Sequence, residues 1–525
     1  MNIKNLMLAI FAVSLALAAC KKDDVLEPAR LFRPVLAGTL VADSNAILAA
    51  WQPIKAAVSY TVQLSRDSFK TIDLTANVVD TSIVLIKNLL WNQLYQVQVK
   101  AIAQDTVFNS RYSLLGGIKT PKFPSILKSP GAGDVDVTDE AIRLTWVKSG
   151  DAVSSIKVLL TDSTFVKEVL LTATDIANQY KIITGLKGGT TYIGMLYSGS
   201  RLRGYDLYTT RQPLSGKLID LRTITGRPSV LADTIPLIDP GSTIILKRGE
   251  SYDITSAISL SKAVKIIAGS DLSIPDQPII NMPANFNALA GITIDYIDFE
   301  DVYLKGTDAT AKYVFNISNA STIRRISFEK VKAESFRGIL RLQAGINLTD
   351  FMVNNSVMFN LGGYGVITVD NVASKCDNIS IKNSTIYKAD KIITSRQNSV
   401  TVTVENCTIN EAPLANNYLI DFSTTGTNNV SNGINVKNCI FGIGRLSGTN
   451  TAVRGIRVGV GSITTDKNYS TSDYTVTATT PLPIPDLIPY TRSSTQLWVD
   501  AVNGNFKIAD LSFPGASTVG DPRWR

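Results

Sequence analysis

Five positions in the second half of the chain have types and spacing that could act together. Arg341, Thr368, Arg396, Asp421 and Arg457 follow one another at intervals of 25 to 36 residues. A guanidinium grips a carboxylate through two parallel hydrogen bonds. A row holding Arg341, Arg396 and Arg457 could therefore hold a chain of acidic sugars, with Asp421 neutralising a neighbour. The competing reading is a set of unrelated surface arginines. A second row contains Glu300, Glu329, Asn354, Lys382, Glu405 and Lys437, with Asp298 close to Glu300. Carboxylates that alternate with apolar residues share one side of a strand, which is the nearest approach to a Ca²⁺ site. Mixed charges of this kind equally serve to solvate a sheet. The expectation is no metal and no cofactor, with Ca²⁺ possible but unsupported.

Composition removes several chemistries. None of the 525 residues is a histidine, so His-based triads and His-containing zinc sites are excluded. Lyase chemistry on a polyuronate survives that test, because Arg or Lys can serve as the base and a cation can stabilise the enolate. For such a reaction Arg396 or Lys391 would be the first candidates. No residue is assigned a catalytic role here, and the reading leans away from an enzyme.

Both rows need a scaffold that returns to the same place every few dozen residues, and the chain contains one. The pattern apolar-x-apolar-x-Asn-x-x-apolar occurs at Phe351, Val353, Asn355, Met358; at Ile379, Ile381, Asn383, Ile386; at Val402, Val404, Asn406, Ile409; and at Ile434, Val436, Asn438, Phe441. Looser copies centre on Asp301 and Lys330. Central positions 301, 330, 355, 383, 406 and 438 differ by 29, 25, 28, 23 and 32 residues. Such a period marks a solenoid, and the period of two inside each copy makes the unit a strand. One turn of three short strands per copy predicts a right-handed parallel β-helix. Asn355, Asn383, Asn406 and Asn438 are expected to form a structural ladder of amides, each bonding the one above and below. The alternative is turn chemistry, since Asn tolerates left-handed backbone.

The chain before the coil is organised differently. Residues 1–19 read as a signal peptide, with Lys4 ahead of an apolar run from Leu6 to Leu17 that is too short to span a bilayer. Residues 31–121 and 122–225 each alternate apolar and polar with turn signals at sandwich spacing. In the first, Ile47, Ala49 and Trp51 share a face and Tyr95, Val97 and Val99 form a later strand. In the second, Leu144-Thr145-Trp146 is followed by Ile156 to Leu160, then by Leu186-Lys187-Gly188-Gly189-Thr190-Thr191-Tyr192. The coil is expected over residues 226–480 and a closing segment over 481–525. Prolines 481, 483, 485 and 489 cannot donate ladder bonds, so that stretch is expected to run across the outside. The formal charge of +8 is scattered, without a basic block, so nucleic acid is not expected as a partner. Beyond Cys20 the cysteines are Cys376, Cys407 and Cys439. The last two follow ladder positions where Ser356 and Ser384 stand in neighbouring copies, and read as a stack of small residues; a bridge between them stays open.

Several of these stretches resemble known families. Leu17-Ala18-Ala19-Cys20 resembles a bacterial lipobox, and Lys21-Lys22-Asp23-Asp24 resembles the acidic export tag of Bacteroidota lipoproteins. The resemblance implies a lipidated, palmitate-bearing Cys20, a linker over residues 20–30 and display on the outer face of the outer membrane. The Trp and Tyr-x-Val-x-Val strands resemble fibronectin type III domains, and the Leu-x-x-x-Thr-x-Tyr match in the second module strengthens it. With the repeats and the ending Gly520-Asp521-Pro522-Arg523-Trp524, the chain resembles Bacteroidota surface lipoproteins whose pectate-lyase-like β-helix is a domain of unknown function. These are often encoded beside polysaccharide uptake systems, which makes a neighbouring uptake complex an implied partner. It departs from pectin-hydrolase β-helices, which resemble one another in an aspartate cluster with a nearby His. The expectation is an all-β chain: two fibronectin type III-like sandwiches, then the β-helix. Three functions fit: a surface lipoprotein that binds or presents a polysaccharide, acidic and pectin-like, without catalysis; a β-helix polysaccharide lyase; and a structural or adhesive surface protein.

Overall fold

The computed structural model describes residues 30–131, 135–422 and 428–525. The stretch read as a signal peptide, Cys20 and the residues read as an export tag lie outside them. The described chain is all-β, and its strands fall into antiparallel N-terminal sheets followed by long parallel ones.

The first module is a sandwich. Val41–Asp43, Ala46–Ala50 and Ile83–Ile86 form one antiparallel sheet, and Leu74–Val79, Ser59–Ser65, Leu94–Ile102 and Ser113–Lys119 form the other. Strict alternation sends Ile47, Ala49, Val62, Leu64, Val97 and Val99 into the space between them. Trp51 meets Tyr60 edge to face at 5.1 Å. The Tyr95 hydroxyl accepts from the Leu90 N–H at 3.1 Å, the corner role expected for it. The second module repeats this chemistry: the Tyr192 hydroxyl accepts from the Lys187 N–H at 2.8 Å, and Trp146 is buried. Its strands form a four-stranded sheet (Phe165–Leu170, Ser155–Leu160, Thr191–Ser198, Arg201–Thr209) and a pair (Ile142–Thr145 with Tyr180–Ile183).

The rest is a parallel β-solenoid with three faces. The first face stacks Leu218–Asp220, Ser242–Leu246, Val264–Ala268, Ile297–Glu300, Thr322–Glu329, Asn347–Asn354, Lys375–Lys382, Thr401–Glu405, Ile434–Lys437 and Ile463–Asp466. The second begins at Ser251–Asp253 and includes Thr385–Ala389 and Thr408–Asn410. The third begins at Ile258–Leu260 and includes Ile393–Ser395, Tyr418–Asp421 and Arg454–Arg457. Three long strands, Tyr303–Ile317, Lys332–Leu342 and Val357–Val369, bend from the second face onto the third. Inward residues of successive rungs fall in register, Ile297 on Ile326 on Phe351 and Phe299 on Phe328 on Val353. Phe299 and Phe328 stack nearly parallel at 5.6 Å. Each such fully buried side chain contributes roughly 1.5–3 kcal/mol, and they run the length of the stack.

Two boundaries differ from the sequence reading. The stack starts at Leu218–Asp220, which pairs in parallel with Ser242–Leu246, ahead of the boundary at 226. Three-residue strands carry too little alternation to be recognised alone. The proline stretch also does not run free across the outside. The carbonyls of Pro481 and Leu482 accept from the N–H groups of Gly455 and Ile456, and Ile488–Pro489 pairs with Tyr469–Ser470. Proline loses a donor but keeps its acceptor, so a terminal rung can still be built from it.

Candidate functional site

The arginine row is only partly in register. Arg341 pairs with Thr368, Thr368 with Thr394, Thr394 with Asp421, and Asp421 with Arg457. Thr394 therefore occupies the place expected for Arg396, which lies two residues further on. Unequal loops between rungs produce the slip. Arg396 nonetheless approaches the same strip, with its guanidinium 3.5 Å from Asp370.

The strip is dense in cations and rings. Arg341 donates through Nε to Asp370 at 2.8 Å, and Nη2 bonds the same oxygen. Arg457 grips Asp421 with two bonds of 2.8 and 2.7 Å, and that pairing raises the guanidinium's pKa above its ordinary value. Arg341 lies 4.1 Å and Arg337 4.9 Å from the Tyr364 ring centre. Arg457 and Arg454 lie 4.4 and 5.2 Å from that of Tyr418. Arg341 and Arg396 share Asp370 and Arg457 pairs with Asp421, while Arg337 and Arg454 lie against tyrosine rings, so the strip holds more guanidiniums than carboxylates. Arg341, Arg457 and Asp421 are tied to each other or to Asp370. Arg337, Arg396 and Arg454 are the more available: Arg396 is half exposed, and among the described residues the Arg454 guanidinium donates to the Thr479 and Asn416 carbonyls and to no carboxylate.

The mixed row on the first face is in register as read, Glu300 on Glu329 on Asn354 on Lys382 on Glu405 on Lys437. Its charges neutralise one another between rungs. Glu300 meets Lys265 at 2.6 Å, Glu329 accepts from Asn354 at 2.7 Å, and Lys382 meets Glu405 at 3.1 Å. Asp298 accepts two bonds from Arg325, at 3.0 and 2.6 Å, and one from Ser327 at 2.6 Å. Among the described residues no three acidic or cysteine side chains gather as a metal would require.

The asparagine column is turn chemistry more than a ladder. Asn355, Asn383, Asn406 and Asn438 have φ of 47, 49, 53 and 53°, and Asp301, Lys330 and Lys467 occupy the same left-handed region at 56, 54 and 49°. Asn adopts it at least cost among residues with a side chain. One amide bond joins column neighbours, Asn406 to Asn383 at 3.0 Å, and Asn383 then donates to Asn354 at 2.9 Å, off the column. The Asn355 and Asn406 amide oxygens instead accept from Arg523 and Arg525, at 2.9 and 3.2 Å, so the bonds do not run on as a continuous ladder. The continuous polar column lies one residue on, inside the coil. There the Ser356 N–H donates to Ser384 Oγ at 3.0 Å, and the Cys439 N–H to Asn468 Oδ1 at 3.0 Å. Cys407 and Cys439 belong to it as free buried thiols, without the bridge left open by the sequence.

A cleft that the sequence reading missed lies on the second face. Outward residues there include an apolar set, Val357 and Phe359 on one rung, Tyr387 on the next, then Ile440 and Tyr469 beyond the polar rung of Thr408 and Asn410, and residues 494–525 pack over them. Ser494–Leu497 is a single helical turn, and Trp498–Asp500 pairs antiparallel with Asn505–Ile508. Trp498, Phe506, Phe513 and Val519 are buried against the coil. Gly504 turns with φ 82° where a Cβ would come 2.6 Å from the Tyr387 hydroxyl, so only glycine lets the hairpin pass that ring. The end is pinned. Thr385 donates to the buried Asp521 carboxylate at 2.7 Å, the Trp524 indole N–H donates to Thr385 at 2.7 Å, and Arg523 donates to the Asn355 amide oxygen at 2.9 Å.

Where this cover stops, a cavity of about 440 Å³ opens, lined by Lys330, Lys332, Phe359, Tyr387, Arg523 and Trp524 among others. Phe359 stacks on Tyr387 at 4.7 Å with planes 6° apart. The Lys332 ammonium lies 4.2 Å from the Tyr303 ring centre and 5.6 Å from that of Phe359. The Tyr303 hydroxyl donates to Glu334, and burial raises its pKa. Burial, then the charges of Glu334 and Glu411, push Tyr387 up to about 12. Neither phenol is therefore a base at neutral pH. A signal for the cleft existed in the sequence. Phe359 and Tyr387 directly follow Met358 and Ile386, the closing apolar residues of their copies, and alternation turns them outward.

Two family models match the chain, each over a quarter of it: a domain of unknown function (DUF4957) over residues 250–389 and another (DUF5123) over residues 402–524. The cleft takes side chains from both stretches. No curated protein matches the sequence. Among solved structures, the crystal structure of chicken CNTN1 FN1-FN3 domains is similar at 17% identity. It covers 35% of this chain and 70% of that one with a TM-score of 0.17.

Proposed function

We propose that the coil binds or presents an acidic, pectin-like polysaccharide without cleaving it. In this reading the chain is a surface lipoprotein anchored through Cys20 to the outer membrane, and the two sandwiches act as spacers. The arginine-rich third face carries the proposal: five guanidiniums to two carboxylates, on rungs that repeat along one direction as sugars repeat along a polymer. Adjacent strands stand about 4.8 Å apart, so a polyuronate could meet several rungs at once. Association with a neighbouring glycan uptake complex belongs to the same proposal. A purely adhesive or structural role is compatible with the architecture, and a lyase would show itself through unsaturated, ultraviolet-absorbing products.

The test is retention of polygalacturonate compared with a neutral glycan across a salt series. Exposed charge pairs are screened over about 8–10 Å near physiological ionic strength, so binding should weaken as salt rises. Changing Arg337, Arg396 and Arg454 together to Gln should abolish retention and leave the melting temperature near that of the native chain. These three are chosen because Arg341 and Arg457 also hold Asp370 and Asp421. Undiminished binding in the triple variant would discard the strip as the site.

A further inference from the structure

We infer that the cleft beside Trp524 is a second glycan site, built for one or two uronate rings at a time and separate from the arginine strip. The inference deepens the proposed polysaccharide reading, from which it takes its ligand class, but it stands on different residues. The cavity's 440 Å³ falls within the roughly 300–1,000 Å³ of small-molecule sites. Its walls combine two features that a uronic acid matches and a neutral sugar or a simple anion does not. The first is aromatic surface at the mouth: Phe359 braced from behind by Tyr387, with the half-buried Trp524 nearby. Sugar C–H faces pack on such rings. The second is a pair of lysines, Lys330 and Lys332, that make no ion pair among the described residues. Lys332 is held between the Tyr303 and Phe359 rings. The acid in the lining, Asp301, is already bonded to Arg248 and Gln277. The Lys332 ammonium lies against two rings, and nearby Glu334 is bonded to Tyr303 and 3.8 Å from Lys305, so a sugar carboxylate reaching Nζ of Lys332 would give it an ion pair while the ring lies on the aromatic wall.

The site is also preorganised. Arg523 is fixed by Asn355 and Asp521, and Trp524 by Thr385, so the wall does not need to form on binding. The cleft closes against the hairpin at Gly504, which limits it to a short segment.

The experiment is calorimetry and tryptophan emission on the full chain, with digalacturonate, its methyl ester and cellobiose as probes. Digalacturonate should bind and change the Trp524 emission. The ester and cellobiose should bind at least about tenfold more weakly, the effect expected from losing one charge-assisted hydrogen bond. Lys332→Gln should lose digalacturonate binding by a similar factor, and Lys332→Arg should retain it. Phe359→Leu offers an independent variant if Lys332→Gln does not fold. The Arg337, Arg396 and Arg454 triple variant should bind digalacturonate normally. Equal binding of ester and acid, unchanged binding in Lys332→Gln, or loss in the triple variant would each overturn the inference. Polymer retention without digalacturonate binding would remove the cleft and leave the strip; digalacturonate binding without polymer retention would do the reverse.

Discussion

The second and third faces of the coil are made by the same three long strands, yet they solve the problem of their outward side chains in opposite ways. The second face projects Phe359, Tyr387 and Ile440, and needs a cover, which residues 494–525 supply with Trp498, Phe506, Phe513 and Val519. The third face projects Arg341, Arg457, Asp370 and Asp421, which pair between neighbouring rungs and are themselves largely buried. Apolar columns on a solenoid call for more chain, because exposed apolar area is costly and no neighbour on the same face can hide it. Charged columns can satisfy themselves, because strand spacing puts opposite charges within reach. The second face thus depends on a distant segment and gains a cleft at its margin. The third is held by its own ion pairs and ring contacts.

That contrast can be broken most severely at Trp498. Trp498→Ala removes a fully buried ring between the cover and the coil, and should cost about 3–5 kcal/mol. The loss should appear as protease release of the last thirty or so residues while the coil's main melting transition persists. A single transition that shifts as a whole would instead make cover and coil one cooperative unit. On the third face the effect should be smaller and confined to its own rungs. Arg341→Gln leaves Asp370 with Arg396 alone, and should cost about 1–3 kcal/mol, read from denaturant unfolding. A loss as large as that of Trp498→Ala would show that the charged face is not autonomous.

The smallest effect expected is on pH dependence, and it too belongs to the cover. Hydrogen bonds from Ser512 and Tyr490 lower the Asp510 carboxyl to about 2. Its contribution is present above the unfolded value of 3.8 and is lost as pH falls through about 2, so acid should loosen the cover. Asp521 acts with the opposite sign: burial raises its pKa, so its contribution is present below 3.8 and is lost as pH rises through the raised value. Asp510→Asn should flatten the acid side of a proteolysis-against-pH curve. An unchanged curve would move the acid sensitivity, if any is seen, to other carboxylates.

Much of the architecture was legible before any coordinates. The period of two with a central Asn marked strand and corner because both are local properties: alternation decides which side faces the core, and Asn tolerates the left-handed turn. The tyrosines at 95 and 192 were legible for the same reason, each bonding backbone five residues away. The asparagine ladder misread a local fact as a long-range one. Only Asn406 and Asn383 bond each other in the left-handed corner, and the bonded column is the Ser356, Ser384 and Cys407 row beside it.

What the sequence alone determined, then, is everything that depends on neighbours along the chain: the β class, the repeat, the corner residues, the sandwich signatures and the scarcity of acid–base chemistry without histidine. What only the tertiary structure decided depends on how many residues each loop spends between rungs. Loop length put Thr394 rather than Arg396 in register with Thr368, and it brought Arg396 to Asp370 from the side. The cleft is the extreme case. Trp524 bonds Thr385 across 139 positions and Arg523 bonds Asn355 across 168, and no local pattern encodes a contact at such separation. It exists because an apolar outward column had to be covered and the end of the chain was the segment available to cover it.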